Sequence, residues 1–314
     1  MSEHRLMPQS EWGWKVAVYL FLAGAGAGAY TWGAVADLFG GASSLVSKTG
    51  LLLGFPLVFI GTLFLIADLG VKPRALRVFM NPGSSWIARG TFIISTFMIL
   101  GAIHFAAGIW PFRWLMEQES LRHIIGAVNI LFAALTMLYT GILLGASRPI
   151  SLWSTAMLPA LFLISALSTG AMAIAFSLAV GEMAAILPGQ NDSIARLATL
   201  DAILIVAEAL AIVVYLQATH KTEESRESLR LMLKGAYAPL FWIGVVALGL
   251  IVPLTSAVAE GASFLAVPTI MVAATSLCGL LGGFFLRYAV LACGVRAPLR
   301  AGGIAYTFPS TCAR

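Results

Sequence analysis

Charge is what this sequence has least of: Asp, Glu, Lys and Arg together make up 11% of 314 positions, against 60% hydrophobic residues. An ordinary soluble domain carries roughly 25% charged residues, and no soluble core can absorb so much apolar surface. Long polar connections are missing as well, which excludes a separate soluble domain. Cysteine and histidine are sparse. Cys278, Cys293 and Cys312 show no ligand spacing, so neither a disulfide framework nor an iron-sulfur site is expected. Of the four histidines, two fall in terminal or loop positions, and His104 and His123 form only an isolated pair. No metal site is assigned.

What the chain does have is uncharged runs long enough to cross hydrocarbon, which takes about 20 helical residues for roughly 30 Å. They run Val16 to Ala36, Thr49 to Ala67, Gly90 to Phe112, His123 to Ser147, Pro149 to Gly181, Gly235 to Ala259 and Gly261 to Leu286. An eighth span, interrupted by Asp201 and Glu208, fits between Leu197 and Thr219. The expectation is an all-α polytopic membrane protein, one membrane domain over 1–314. Its eight transmembrane helices lie at about 14–37, 50–69, 86–110, 122–146, 154–181, 197–219, 237–257 and 264–293.

The net charge of +5 is explained by its distribution rather than by a nucleic-acid partner. Of the 19 basic residues, all but Lys48, Arg113, Arg122 and Arg196 fall with the termini and the second, fourth and sixth connections. The positive-inside rule then places both termini in the cytoplasm. The first apolar stretch is too long for a signal peptide and lacks the small-residue cleavage pattern, so it reads as a retained helix. Lys72, Arg74 and Arg77 belong to the headgroup zone, solvated or facing anionic lipid.

Gly24 and Gly28 form a small-xxx-small face in the first helix, a close-packing signal. They make no dinucleotide fingerprint, because no strand precedes them. The run from Pro149 to Gly181 exceeds one span, which predicts a short amphipathic or re-entrant piece before the fifth helix. Lys221 to Lys234 mixes acids and bases and reads as a solvated cytoplasmic helix.

Ionisable groups within spans are default functional candidates. Helix direction puts Tyr19, Asp68, Arg89, Tyr139, Ser165, Ser168, Thr169 and Arg287 toward the cytoplasmic ends, in one candidate pocket. Each also has a plainer role. The tyrosines suit an interfacial belt, Asp68 suits a cap or a pair with Arg74 or Arg89, and Arg89, Arg148 and Arg287 suit snorkelling. The hydroxyls suit bonds to their own helix. Glu208 lies roughly 17 Å in from Leu197 by helical rise, near mid-membrane. A carboxylate there needs a partner from another helix, a neutral form or water. It is either a proton relay or half of a structural pair.

Certain motifs go further: YLFLAGAGAG at Tyr19 to Gly28, DLGVKPRALRVFMNPGSSWIARG at Asp68 to Gly90, YTGILLGASRP at Tyr139 to Pro149, LPALFLISALSTG at Leu158 to Gly170, and FFLRYAVL around Arg287. Through them the chain resembles the membrane subunit of the polysulfide reductase and NrfD family, the quinone-reactive anchor of molybdenum and iron-sulfur oxidoreductases. The resemblance implies two four-helix bundles in the bacterial inner membrane, binding menaquinone or ubiquinone, with no haem or iron-sulfur cluster in this chain. It implies a partner subunit carrying four iron-sulfur clusters and a catalytic subunit with a molybdenum or tungsten pterin cofactor, where the terminal substrate chemistry lies.

In the family, a histidine of the first helix and a tyrosine of the fourth hold the quinone headgroup, and these positions fall on Tyr19 and Tyr139. A phenol still donates a hydrogen bond but is a poorer relay at neutral pH than imidazole. By the same resemblance Asp68 exchanges the proton, with Arg89 or Arg148 tuning it and Ser168 near the pocket. Glu208 continues a path toward the far side. The charge asymmetry puts the docked partners on the cytoplasmic side. A secondary transporter, with a midplane site at broken helices, and a purely structural anchor are the competing readings.

Overall fold

The computed structural model describes residues 8–9, 12–40, 44–68, 86–107, 114–146, 150–186, 189, 191–220, 222–261, 268–296, 299–301 and 304–306. Six long helices come first: α1 (Trp14–Gly40), α2 (Leu45–Asp68), α3 (Trp86–Ala107), α4 (Glu119–Gly145), α5 (Met157–Met183) and α6 (Asn191–Ala218). A surface helix α7 (Glu223–Leu233) follows. The seventh crossing is a π-helix over Leu240–Ile251 that continues as α8 (Val252–Gly261), and α9 (Thr269–Ala292) is the eighth. Eight of these segments are long and apolar enough to cross a membrane, so the body is an all-α, eight-span membrane fold. Helices are the outcome because hydrocarbon offers backbone groups no partner outside the segment itself. The described end of the chain adds a small antiparallel hairpin, β1 (Leu299–Ala301) with β2 (Ile304–Tyr306), which the sequence pattern does not anticipate.

Two helices are central. In α1 78% and in α5 72% of the spanning window is buried, against 28% in α2 and α6. The glycine-alanine run of α1 makes this possible by offering two faces without bulk. Gly28 lies on the Ala166 carbonyl and Gly170 of α5, so close that a methyl group at either glycine would overlap backbone. On another face Gly33 meets Gly50 of α2, where an added Cβ would fall 2.8 Å from the Gly50 carbonyl carbon. Gly24 and Gly28 thus do the packing the small-xxx-small pattern predicts, and the second face is additional. Around this pair, α1 touches α2, α4, α5 and α9, while α3 lies between α2 and α4. On the other side α5 touches α6 and α9, and the seventh span lies against α6 and α9.

The two ends of the described chain meet at one end of the helices, where the Gln9 amide donates to the Gly294 carbonyl at 2.7 Å. The segment before α5, where a short amphipathic or re-entrant piece is expected, contains no helix among its described residues: Ile150 bridges to Arg296 and residues 151–153 form a turn. Trp153 holds them there, stacking on Trp12 and donating from Nε1 to the Val290 carbonyl at 2.8 Å. A large indole that buries its ring and satisfies its one donor fixes a turn without helix. α7 is helical as expected. Thr222 caps it by accepting from the Ser225 amide, acids open it at Glu223 and Glu224, and Arg230 lies in its last turn.

Candidate functional site

Tyr19 stands five residues into α1 with its side chain fully buried. Among the described residues its hydroxyl has no hydrogen-bond partner, although it is an electrostatic neighbour of Tyr139 on α4. A buried phenol without a partner forfeits a hydrogen bond that water would have supplied. The Tyr139 ring in turn lies flat against Gly90 of α3, where any Cβ would run into the ring carbons. Three helices therefore seat the two phenols at the end of the bundle where α1 begins. Gly90 is a site residue that sequence reasoning passes over, since a lone glycine in an apolar helix carries no mark of what it touches.

A second group lies deeper, among α5, α6 and α9. Arg287 is fully buried and its Nη1 donates to Ser165 Oγ at 3.0 Å and to its own helix at the Gly283 carbonyl. Glu208, also buried, has the Ser165 hydroxyl and the Arg287 charge as its neighbours. The nearby charge from another helix that this carboxylate calls for is thus an arginine 79 residues away in sequence. One turn further along α5, Ser168 donates to Asp201 Oδ1 at 2.7 Å. Asp201 and Glu208 sit seven residues apart, two turns of α6, and feel one another's charge. Room for the guanidinium comes from α1: a Cβ on Gly24 would fall 2.9 Å from Arg287 Nη2. Gly24 is five residues from Tyr19, about 7.5 Å along the helix axis, so α1 connects the two groups.

The remaining candidates lie elsewhere. Arg89 is exposed, its guanidinium 4.9 Å from the centre of the Trp86 ring, and does not face the tyrosines its neighbour Gly90 supports. Asp68 is the partly exposed last residue of α2, one turn beyond Phe64, which packs edge-on against Trp14 at the start of α1. Arg148 lies outside the described residues. The single layer of polar groups expected from helix direction is thus resolved into a tyrosine pair and a deeper arginine-carboxylate group, with Arg89 outside both.

A third buried group was not foreseen. Arg122 Nε donates to Asp37 Oδ2 at 2.8 Å, with both side chains at least 95% buried, joining α4 to the end of α1. His104 of α3 is 2.7 Å from Tyr30 Oη through Nδ1 and 3.2 Å from the Arg122 carbonyl through Nε2. Among the described residues no group of three or more His, Cys, Asp or Glu side chains could hold a metal ion.

The family model described as polysulphide reductase, NrfD, matches residues 3–298. Protein NrfD of Escherichia coli (strain K12) is 25% identical, over 90% of this chain and 94% of its own length. A polysulfide reductase chain of Wolinella succinogenes is 29% identical, over 79% of the present sequence and 83% of its own. A protein NrfD homolog of Haemophilus influenzae is 26% identical over 91% and 95% respectively. With eight spans in place and a match running nearly from end to end, the chain belongs to the polysulfide reductase NrfD family of integral membrane proteins.

Proposed function

We propose that this chain is the quinone- or quinol-reactive membrane anchor of a respiratory oxidoreductase, exchanging electrons with a docked iron-sulfur subunit. The observation that carries this is the Tyr19 hydroxyl, fully buried beside Tyr139 and lacking a hydrogen-bond partner among the described residues. An orphaned donor at the rim of an apolar bundle fits a carbonyl that arrives from the lipid phase. Menaquinone or ubiquinone, when bound, supplies two-electron, two-proton chemistry. Tyr19 and Tyr139 would hold and orient a headgroup carbonyl, and Gly90 lets the Tyr139 ring sit where it does. Asp68, at the partly exposed end of α2, would exchange protons with the nearby aqueous phase, with Arg89 and Arg148 setting the local positive charge. Ser168 and Glu208, with Arg287 and Asp201, would carry protons across, making turnover electrogenic.

The same reading extends to the assembly. The helix contacts support two four-helix bundles, α1 to α4 and α5 to α9, joined along α1 and α5. The skewed distribution of the 19 basic residues supports cytoplasmic termini in a bacterial inner membrane. Partners would then dock on the cytoplasmic side: a four-cluster iron-sulfur subunit and a catalytic subunit with a molybdenum or tungsten pterin. Terminal substrate chemistry belongs to that subunit. Against a transporter stands the size of the void near Asp201, about 30 Å³. A water needs roughly 10–15 Å³, so there is room for water and not for a solute.

The test is quinol turnover by the assembled complex purified from membranes. Tyr19→Phe and Tyr139→Phe should each lower kcat/KM for quinol up to about tenfold, the worth of one hydrogen bond, with an unchanged melting temperature. Gly90→Ala should reproduce the Tyr139→Phe loss by displacing the ring. Full turnover in all three variants would overturn the assignment.

A further inference from the structure

Two voids lie between α5, α6, the seventh span and α9, and the buried carboxylates divide between them. One, of about 30 Å³, is lined by Asp201 together with Ser256, Thr275 and Ser276. The other is a cleft lined by Glu208, Ser168, Thr169 and glycines of the seventh and eighth spans, too narrow for water. Among the described residues Met172 is the one that lines both. Its side chain is 3% exposed and its thioether end rests directly on Gly279, where a methyl group would collide with it. Pro253 closes the same spot from the seventh span, its ring 3.2 Å from where a Gly279 Cβ would be.

Past this point, among the described residues, a hydroxyl makes the polar connection. Ser168 lines the Glu208 cleft and donates to Asp201 Oδ1 at 2.7 Å. A hydroxyl accepts one proton while donating another, so it can pass protons. Hydrated ions need a continuous water file, and an apolar side chain across the path keeps that file broken.

Resting on the proton-path part of the reading above, we propose that Met172, seated on Gly279, is the coupling-determining residue of this path. It is an apolar plug that keeps water at Asp201 from reaching Glu208 and leaves the Ser168 hydroxyl as the crossing. The length and unbranched shape of methionine suit the task, since it fills an irregular gap between a glycine and a proline ring. Removing the plug joins the two voids and converts a proton-selective step into a leak. The π-helical stretch Leu240–Ile251 ends beside this point, and Gly249 within it packs on Gly282 of α9. Pro253 offers no amide hydrogen to the turn before it, so the wall opposite Met172 is one that helix hydrogen bonds hold least firmly.

The experiment uses the assembled complex in sealed vesicles containing a pH-sensitive dye, with a potassium diffusion potential imposed and no substrate present. Met172→Ala should raise passive proton entry at least about fivefold by letting the constriction wet, while quinol turnover in detergent stays within about twofold. Met172→Leu should remain tight. Adding Asp201→Asn to Met172→Ala should return the leak to the unmodified level. Where the alanine variant fails to assemble, Met172→Gln, of similar length but polar, carries the same expectation. Tight vesicles with an assembled Met172→Ala or Met172→Gln complex would overturn the proposal, as would a leak indifferent to Asp201. The proton-path reading is judged separately, by whether the unmodified complex moves protons during turnover in the same vesicles.

Discussion

The first four spans and the last four each bury a charged group, and they do so in different ways. In the first half Asp37 and Arg122 meet directly at 2.8 Å, with Tyr30 and His104 adding a hydrogen-bonded cross-link between α1 and α3. In the second half Arg287 and Glu208 both neighbour Ser165, and among the described residues two nitrogens of the guanidinium, Nε and Nη2, have no hydrogen-bond partner. Both voids described above border the second group and neither touches the first. Burial of charge is common to the two halves, so burial alone does not mark a working site. Under the proposed path, hydroxyls between the charged groups and adjacent space do, since a proton path needs groups that exchange partners. A direct ion pair is made to hold one arrangement, here three helices at one end of the bundle.

The largest expected effect comes from breaking the closed group. Arg122→Ala leaves the Asp37 carboxylate buried without its direct guanidinium partner, with His123 Nε2 standing 3.9 Å off; breaking a buried pair typically destabilises by about 3–5 kcal/mol. The melting temperature of the purified complex should drop sharply, and Asp37→Ala in the same chain should recover most of the loss. A double variant as unstable as the single one would show that Arg122 serves something other than Asp37. Next in size is a glycine contrast. Gly24→Ala forces a methyl group to within 2.9 Å of Arg287 Nη2 and 3.3 Å of the Ala166 Cβ, an overpacking worth about 1–3 kcal/mol. Gly126→Ala, in the first half, meets the His104 ring at an ordinary 3.5 Å. Helix propensity favours alanine over glycine by about 1 kcal/mol, so Gly126→Ala should melt no lower than the parent, and equal losses at the two positions would erase the contrast.

The sequence discloses some of this arrangement and hides the rest for physical reasons. Eight spans are legible because hydrocarbon imposes length and composition on every crossing at once. Glu208 is legible because one acid in a long apolar run has no cheap explanation, and Gly24 with Gly28 because small residues recur at one helical spacing. The Asp37–Arg122 pair is not. Both residues stand at the ends of apolar runs, where a charge reads as solvated, and nothing local shows that α1 and α4 extend far enough to bury them together. Arg287 as the charge beside Glu208 is likewise a property of packing, since its guanidinium lies in the space left by Gly24 and donates to the Ser165 hydroxyl. The helix-free stretch at 150–156 escapes because an uncharged run of that length looks the same whether it is helix or a loop held by Trp153. Arg89 and Gly90 show the limit most plainly. Adjacent in sequence, they face the exposed surface and the tyrosine site respectively, and the helix rotation separates them.

Smaller effects probe what each group does rather than whether it holds the fold. Glu208→Gln keeps the shape of the side chain and can still accept from the neighbouring Ser165 hydroxyl, so the complex should melt within about 1 kcal/mol of the parent. Under the proposed path it should abolish turnover-linked proton movement in vesicles while quinol oxidation in detergent continues. Tyr30→Phe is the counterpart in the first half. It removes one hydroxyl, the group 2.7 Å from His104 Nδ1, and leaves Asp37 and Arg122 paired. The expected loss is about 0.5–1.5 kcal/mol of stability, with quinol turnover and proton movement unaltered, because no proton path is assigned to this cluster. A Tyr30→Phe complex that melts normally but moves fewer protons per turnover would reverse the contrast. The Tyr30, His104 and Arg122 series would then be a second path, and the directness of its ion pair would no longer distinguish a fastening from a conduit.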